Sequence, residues 1–203
     1  MREDVMRTVG YLCPACRQPV LIERSEFELL SGKSKLTCPC GKSEVIVEPE
    51  GSEVKLTVPC LTCGESHVVF CTAHALLHQR ALAFSCGKSG LDCCYVGDAK
   101  TVFEAMSRLE EATDKLDETA AETGDFLDEL MVGEVLAELR DIAARDGISC
   151  TCGSRKWQIK LGYSAIDLTC TSCGGRLRIP AATASDLEDV CCKNQLVIRG
   201  RER

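Results

Sequence analysis

Aromatic side chains are scarce in this sequence and make up only 4% of its 203 residues. Because large aromatic residues supply much of the area that a protein core buries, a chain with so few of them needs another source of stability. The sequence also lacks a run of about 20 apolar residues, which a membrane-spanning helix requires. Its first residues contain no apolar stretch of signal-peptide length. These absences predict a cytoplasmic protein that does not act at a membrane.

The sequence is rich in cysteine instead, with 16 in total. Cysteines form disulfides in oxidising compartments, whereas in a reducing cytoplasm their thiols stay free to bind metal ions. Most of these cysteines occur in C-x-x-C or C-x-C pairs, many of them followed by glycine. Two cysteines so close in sequence rarely bridge each other, but both can bind the same ion. We therefore interpret the pairs as metal ligands and expect about three structural zinc ions.

Two constellations each combine a C-x-x-C pair with a C-x-C pair. Zn²⁺ binds four thiolates in a tetrahedron, and a tight turn that carries two cysteines presents both sulfurs to one ion. Short β-like runs flank the pairs, so two such turns can meet at the ends of paired strands. The predicted ligands are Cys13, Cys16, Cys38 and Cys40 in site one, and Cys150, Cys152, Cys170 and Cys173 in site three.

The constellation between these two, site two, is incomplete. The tetrapeptide CGKS occurs at 40–43 and again at 86–89, which suggests an internal repeat. In that alignment Cys86 matches Cys40, and a fourth ligand must come from elsewhere. The predicted ligands are Cys60, Cys63, Cys86 and Cys93, and the alternatives to Cys93 are Cys94, Cys71 and His67.

The chain resembles the zinc-ribbon superfamily through three pairs of motifs: YLCPAC with CPCG, PCLTCG with CGKS, and CTCG with CTSCGG. The resemblance covers three stretches of roughly 25–35 residues. It implies β modules held by zinc and leaves the function open, because zinc ribbons serve in transcription, translation and scaffolding. Site three also resembles the zinc switch of bacterial redox-regulated holdase chaperones, in the order of its two cysteine pairs alone.

Strand-like and helix-like patterns alternate along the chain. Runs of β-branched and apolar residues predict strands around the cysteines, among them AIDLTC at 165–170 and RLRIP at 176–180. Residues 71–83 have a helical composition. Residues 98–147 carry two apolar stripes at helical spacing, and Asp125 is the predicted N-cap of the second helix. The pattern predicts an antiparallel helical hairpin in this segment.

The predicted fold is α+β, with multiple zinc-ribbon-like β modules and an inserted helical hairpin. The hairpin segment is acidic, with 15 acidic and 5 basic residues, whereas the segment after it has 9 basic and 5 acidic residues. The predicted segments are an N-terminal zinc ribbon at 1–58, a second zinc module at 59–97, the acidic hairpin at 98–147 and a C-terminal basic zinc ribbon at 148–203.

The C-terminal ribbon mixes cationic and aromatic side chains, as surfaces that bind nucleic acids do. The alternative is a solvated face on which Trp157 packs over the metal site. The candidate contacts are Arg155, Lys156, Trp157, Lys160, Arg176 and Arg178. We expect a protein partner, and we consider RNA or DNA bound through this ribbon and a homo-oligomer formed through the helical hairpin.

The leading hypothesis is a non-catalytic zinc-binding adaptor in a protein or ribonucleoprotein assembly. One alternative is a thiol/zinc redox sensor, because oxidants release zinc from thiolates. A second alternative is a metal-dependent enzyme that uses Cys93 and Cys94, or His74 and His78, although these histidines lack the glutamate of the zinc-protease motif. The cysteines without an assigned role are Cys71, one of Cys93 and Cys94, and the pair Cys191 and Cys192. Burial as small apolar residues, a fourth metal site or a redox pair would each account for them.

Overall fold

The computed structural model describes residues 5–200, and these divide into two compact units. Unit one ends at Thr113 and unit two begins at Asp114, so the boundary lies inside a helix. The division therefore differs from the four segments that the sequence pattern predicts. The architecture is mixed α+β, with several small antiparallel sheets and five helices in the described part. None of these helices combines the length and apolarity of a membrane-spanning segment.

Unit one is built from eight strands and two short helices, followed by the start of a long helix. In chain order the elements are β1 (Met6–Leu12), β2 (Pro19–Ser25), α1 (Glu26–Leu30), β3 (Ser34–Thr37), β4 (Glu44–Glu50), β5 (Glu53–Pro59), β6 (Ser66–Thr72), α2 (Ala73–His78), β7 (Ala81–Ser85), β8 (Asp92–Gly97) and α3 (Ala99–Thr123). The strands form two four-stranded antiparallel sheets, in the orders β2-β1-β8-β7 and β3-β4-β5-β6.

The order of elements in unit one occurs twice. Strand, turn, strand, short helix, strand, turn and strand follow one another in residues 6–50, repeat one, and again in residues 53–97, repeat two. Strand β1 begins at Met6 and β5 at Glu53, which is an offset of 47 residues, and β2 and β6 are related by the same offset. Each sheet takes two strands from each repeat. The two predicted N-terminal modules therefore share both sheets and do not form separate ribbons.

The two short helices begin at the same place in their repeats. Ser25 caps α1 and Thr72 caps α2, and each side chain accepts a backbone N–H from three residues further along. Leu29 and Leu76 are buried at equivalent positions of these helices. The helix predicted over 71–83 is limited to α2, because the residues on either side pair as β6 and β7. Strand pairing outweighs the helical propensity of their alanines and leucines.

The long helix α3 buries the apolar stripe of its N-terminal half within unit one. Val102 and Met106 pack over the backbone of β1 at Gly10, where an added Cβ would lie 2.8 Å from Val102 Cγ1 and 2.9 Å from Met106 Cγ. Leu109 continues this cluster. The first half of the stripe predicted for a helical hairpin is therefore buried against a β-sheet.

Unit two contains the last turns of α3 and the remaining elements. In chain order these are α4 (Glu129–Ala144), β9 (Ile148–Cys150), β10 (Trp157–Leu161), β11 (Ala165–Cys170), β12 (Arg176–Pro180), α5 (Ala184–Cys191) and β13 (Leu196–Ile198). Strands β10-β11-β12 form an antiparallel sheet, and β13 runs parallel to β9. Val135, Leu139 and Ile142 of α4 are fully buried against Ile166 and Leu168 of β11. The cysteines at the ends of β9 and β11 are thus attached to one core.

Two details of unit two depart from the sequence prediction. Helix α4 begins after Asp128, whose side chain accepts a backbone N–H of the first turn, and not after Asp125. Arg178, a predicted nucleic-acid contact, is buried between two carboxylates. Its Nη1 lies 3.4 Å from Asp117 Oδ2 and 3.2 Å from Asp167 Oδ2. Because its charge is neutralised inside the unit, Arg178 is a structural residue and not part of a contact surface.

Candidate metal centres

Site one lies where two turns of unit one meet. The turn between β1 and β2 carries Cys13 and Cys16, and the turn between β3 and β4 carries Cys38 and Cys40. Cys13 Sγ lies 3.6 Å from Cys40 Sγ, and Cys16 Sγ lies 3.7 Å from Cys38 Sγ. Four sulfurs placed about 2.3 Å from one ion in a tetrahedron are about 3.8 Å apart. The sulfurs of site one therefore have the spacing of a metal site.

Site three has the same composition in unit two. Cys150 is the last residue of β9 and Cys152 lies in the turn that follows it, whereas Cys170 is the last residue of β11 and Cys173 lies in the turn after that strand. The distance between the sulfurs is 3.5 Å for Cys150 and Cys173, and 3.7 Å for Cys152 and Cys170. Cys150 and Cys170 are buried, whereas Cys152 is exposed. Site three thus combines metal-site spacing with one ligand that faces solvent.

Site two is completed by a histidine. Its members are Cys60, Cys63, His67 and Cys86. Cys63 Sγ lies 3.3 Å from His67 Nε2, close to the separation of about 3.6 Å that a tetrahedral ion imposes on a sulfur and a nitrogen ligand. The predicted fourth ligand, Cys93, is outside this group, and its thiol donates to the carbonyl oxygen of Phe84 at 3.0 Å. The structure therefore puts His67, one of the alternatives, in the place predicted for Cys93.

The backbone explains why site two contains a histidine. Cys13, Cys60 and Cys86 open the same kind of turn, because each donates its N–H to the carbonyl five residues ahead, at 3.1, 3.0 and 2.7 Å. In the first two turns the residue three positions after the opening cysteine is a second cysteine, but in the third turn it is Ser89. That turn supplies one thiol instead of two. His67, on the neighbouring strand β6, provides the missing donor.

The same geometry corrects the alignment of the two CGKS segments. Cys86 directly follows β7, as Cys38 directly follows β3. The N–H of each bonds to the carbonyl five residues ahead, at 2.7 Å and 2.8 Å. Cys86 is therefore equivalent to Cys38 and not to Cys40. Cys86 lies 48 residues after Cys38, one more than the 47-residue offset between β1 and β5.

One cysteine of each site sits where hydrogen bonds favour the thiolate. Burial raises the pKa of Cys13, but donors that include the Ser43 hydroxyl and backbone groups of the turn outweigh burial and lower the pKa to about 7. Burial also raises the pKa of Cys86, but hydrogen bonds from the Ser89 side chain and from backbone groups of the turn outweigh it and lower the pKa to about 6. At Cys170, turn backbone groups also lower the pKa to about 6 despite burial. The thiolate is the form that binds metals, so one cysteine of each site is favoured in that form. Burial and the neighbouring thiols have the opposite effect at Cys16 and Cys63, where they raise the pKa.

The donor sets of the three sites suit zinc. Together they offer eleven thiols and one imidazole, and the donor atoms within each site lie within 4.8 Å of one another. Tetrahedral sets of sulfur and nitrogen donors are typical of zinc. The sulfur–sulfur distances of 3.5–3.7 Å are far longer than the roughly 2.05 Å of a disulfide. All three groups are therefore geometrically able to hold a metal ion.

Several other residues singled out in the sequence lie outside the three sites. The cysteines at 191–192 are exposed at the end of α5. Cys71 is half-buried on β6, and Cys94 is fully buried, which holds its pKa well above the usual value for a thiol. His74 and His78 pack against each other on α2, with ring centroids 4.6 Å apart. In the described residues, none of these side chains belongs to one of the metal-binding groups.

The predicted contact residues of the C-terminal ribbon lie on β10, on β12 and in the turn between β9 and β10. Trp157 is half-buried and packs against the core of unit two. The exposed cations are Arg155, Lys156, Lys160 and Arg176. The carbonyl of Lys156 accepts the N–H of Thr171 at 3.1 Å, which ties this residue to the turn between Cys170 and Cys173. Four of the six predicted side chains are therefore exposed. Two of these are near carboxylates of the same unit, since Arg155 Nη1 lies 3.9 Å from Asp146 Oδ2 and Lys160 Nζ lies 4.0 Å from Glu118 Oε1.

Comparison with known proteins finds no match for this chain among family models, curated proteins or solved structures. The function is therefore argued from the geometry of the sites and surfaces.

Proposed function

We propose that this protein holds three structural Zn²⁺ ions and acts as a non-catalytic adaptor in a protein or ribonucleoprotein assembly. The observation that supports the metal part is the completeness of the donor sets, since each site offers four sulfur or nitrogen donors within 4.8 Å. Structural zinc sites are four-coordinate with such ligands, whereas catalytic zinc sites keep one position for water. When bound, zinc supplies a cross-link between turns of the chain.

The cross-links would replace the stability that aromatic residues provide in other domains. Site one connects residues 13–16 with residues 38–40, site two connects residues 60–67 with Cys86, and site three connects residues 150–152 with residues 170–173. Zinc that binds only the folded chain adds its binding free energy to folding. We therefore expect a strong chelator to unfold the protein.

The adaptor part is supported by the surface of unit two. Lys156 and Arg176 are exposed, and the main chain of Lys156 is held against a turn that carries two ligands of site three. A turn fixed by a metal presents its cations in fixed positions. Such an arrangement suits an acidic protein segment or a nucleic-acid backbone.

Native mass spectrometry of the full chain tests the metal assignment. We expect the mass of the polypeptide plus three zinc ions, all lost under denaturing conditions. Cys38→Ser removes a ligand of site one and should reduce the count to two. Cys71→Ser is the matched control, because Cys71 is half-buried but not a ligand, and it should keep three. A wild-type protein that carries one zinc ion or none would contradict the proposal.

Affinity purification from the source cells tests the adaptor role. The double variant Lys156→Glu with Arg176→Glu should lose the bound partner and keep three zinc ions. Lys100→Glu, at an exposed position of α3 in unit one, is the control and should keep the partner. Release by nuclease or high salt would identify a nucleic acid. If the double variant retains every partner of the wild type, the contact surface proposed on unit two is wrong.

A further inference from the structure

Strand β6 is an edge of the sheet β3-β4-β5-β6, and its sequence, SHVVFCT, contains no charged residue. The equivalent strand of repeat one is β2, also an edge strand, with the sequence PVLIERS. At the 47-residue offset, Glu23 and Arg24 of β2 correspond to Phe70 and Cys71 of β6. Charges on an edge strand discourage pairing with another chain. Repeat one has this protection on β2, and repeat two lacks it on β6.

The outer face of β6 also exposes two large apolar side chains. Val68 is 53% exposed and Phe70 is 56% exposed. Across the strand pair they lie opposite Thr57 and Lys55 of β5, so they belong to the face that is turned away from the buried row at Val54, Leu56 and Val58. A single exposed apolar residue is ordinary. Two of them side by side along an uncharged, unpaired edge are typical of an interaction site.

The other two edge strands of unit one differ from β6. Strand β3 is four residues long and carries Lys35. Strand β7 is uncharged but only five residues long, and its exposed side chains, Ala83 and Ser85, are small. Strand β6 therefore combines seven residues of length, lack of charge and exposed apolar area.

We propose that β6 pairs in antiparallel orientation with β6 of a second copy of this chain. A pairing centred on Val69 sets Val68 of one copy opposite Phe70 of the other, and Ser66 opposite Thr72. Apolar side chains then meet apolar ones and hydroxyls meet hydroxyls, with no like charges in contact. The strand thus matches itself, which favours a second copy over a partner of different sequence. The sheet β3-β4-β5-β6 of each copy then becomes half of one sheet of eight strands. The twofold arrangement pairs the β6 edges of both copies with each other.

The proposed pairing depends on the strand and not on the identity of the metal. His67 lies on β6 in the inner row of side chains, so the interface runs beside site two without using its donor atoms. A chain that self-associates through β6 and holds no zinc would overturn the proposed function and leave the pairing intact. A monomeric chain with three zinc ions would overturn the pairing and leave the metal part of the proposed function intact.

Sedimentation equilibrium of the full chain over increasing concentration tests the pairing. The mean mass should rise from 22.1 kDa toward twice that value. Phe70→Glu, which gives β6 the charge that β2 has at Glu23, should keep the chain monomeric. Leu21→Glu is the matched control, since Leu21 is 40% exposed at the position of β2 that is equivalent to Val68. It should associate like the wild type. A mass that stays at the monomer value, or that rises equally in Phe70→Glu, would overturn the pairing.

A second variant fixes the register and covers the case in which Phe70→Glu fails to fold. At the centre of the pairing Val69 lies opposite its own copy, so Val69→Cys should form a disulfide between the two copies under mild oxidation. Peptide mapping should then recover position 69 linked to position 69. Recovery of that link supports the pairing, and its absence from the oxidised protein overturns it. Circular dichroism of each variant shows whether the chain is folded.

Discussion

Replacing His67 with alanine should weaken metal binding at site two and leave the other two sites unchanged. The three buried thiols Cys60, Cys63 and Cys86 would remain as donors. Four-ligand structural zinc sites bind with about 10–16 kcal/mol, so the loss of one ligand in four should cost about 3–4 kcal/mol. At about 1.4 kcal/mol for each factor of ten, the affinity of site two should fall by roughly 100- to 1,000-fold.

Competition with a chromophoric chelator measures this change. In His67→Ala, one zinc ion of the three should be withdrawn at a much lower chelator concentration, while the other two follow the wild type. Cys93→Ser is the matched control, because the Cys93 thiol is buried nearby but bonds to the Phe84 carbonyl. It should leave all three affinities unchanged. Cobalt substitution gives a second readout, since the visible absorption of a bound Co²⁺ ion changes when a nitrogen ligand is lost.

A rescue variant makes the test specific to the turn geometry. Ser89 occupies the position of the second cysteine in the turn that Cys86 opens, so Ser89→Cys in the His67→Ala background should restore a four-donor site. The reasoning is refuted if His67→Ala binds three zinc ions like the wild type while Cys93→Ser loses one. Failure of Ser89→Cys to raise the affinity of a folded His67→Ala protein would refute the equivalence of the turns.

Three further substitutions test packing and hydrogen bonding. Arg178→Ala should lower the free energy of unfolding by about 3–5 kcal/mol because it removes a cation that lies beside two buried carboxylates. Exposed Arg176→Ala should change this free energy by less than about 0.5 kcal/mol, and urea denaturation distinguishes the two. Gly10→Ala should lower the free energy of unfolding by about 1–3 kcal/mol, since its Cβ would lie 2.8 Å from a side-chain atom of α3. The added Cβ of Gly32→Ala meets nothing within 4 Å, so in thermal denaturation this control should unfold at the wild-type temperature. Ser43→Ala removes a hydroxyl that donates to a ligand sulfur at 3.0 Å and should weaken site one about 10- to 100-fold in chelator competition; an unchanged affinity would show that this hydrogen bond does not tune the site.

The cysteine pairs made sites one and three predictable because their chemistry is local. A C-x-x-C or C-x-C turn places two sulfurs together whatever the rest of the chain does. Strand periodicity is equally local, and the strands predicted at 165–170 and 176–180 coincide with β11 and β12. Cysteine spacing and strand periodicity therefore indicated a mixed α+β protein with three groups of candidate metal ligands.

The tertiary structure decided what depends on residues far apart in the chain. His67 enters site two because the turn after β7 brings Cys86 to the cysteines between β5 and β6, which no local pattern encodes. Arg178 is buried because Asp117, 61 residues earlier, comes to lie beside it. The repeats share their sheets for the same reason, since a repeat in sequence does not state which strands will pair. Hydrophobic period and turn chemistry determine each element by itself, whereas the register between elements follows from the packing of the whole core.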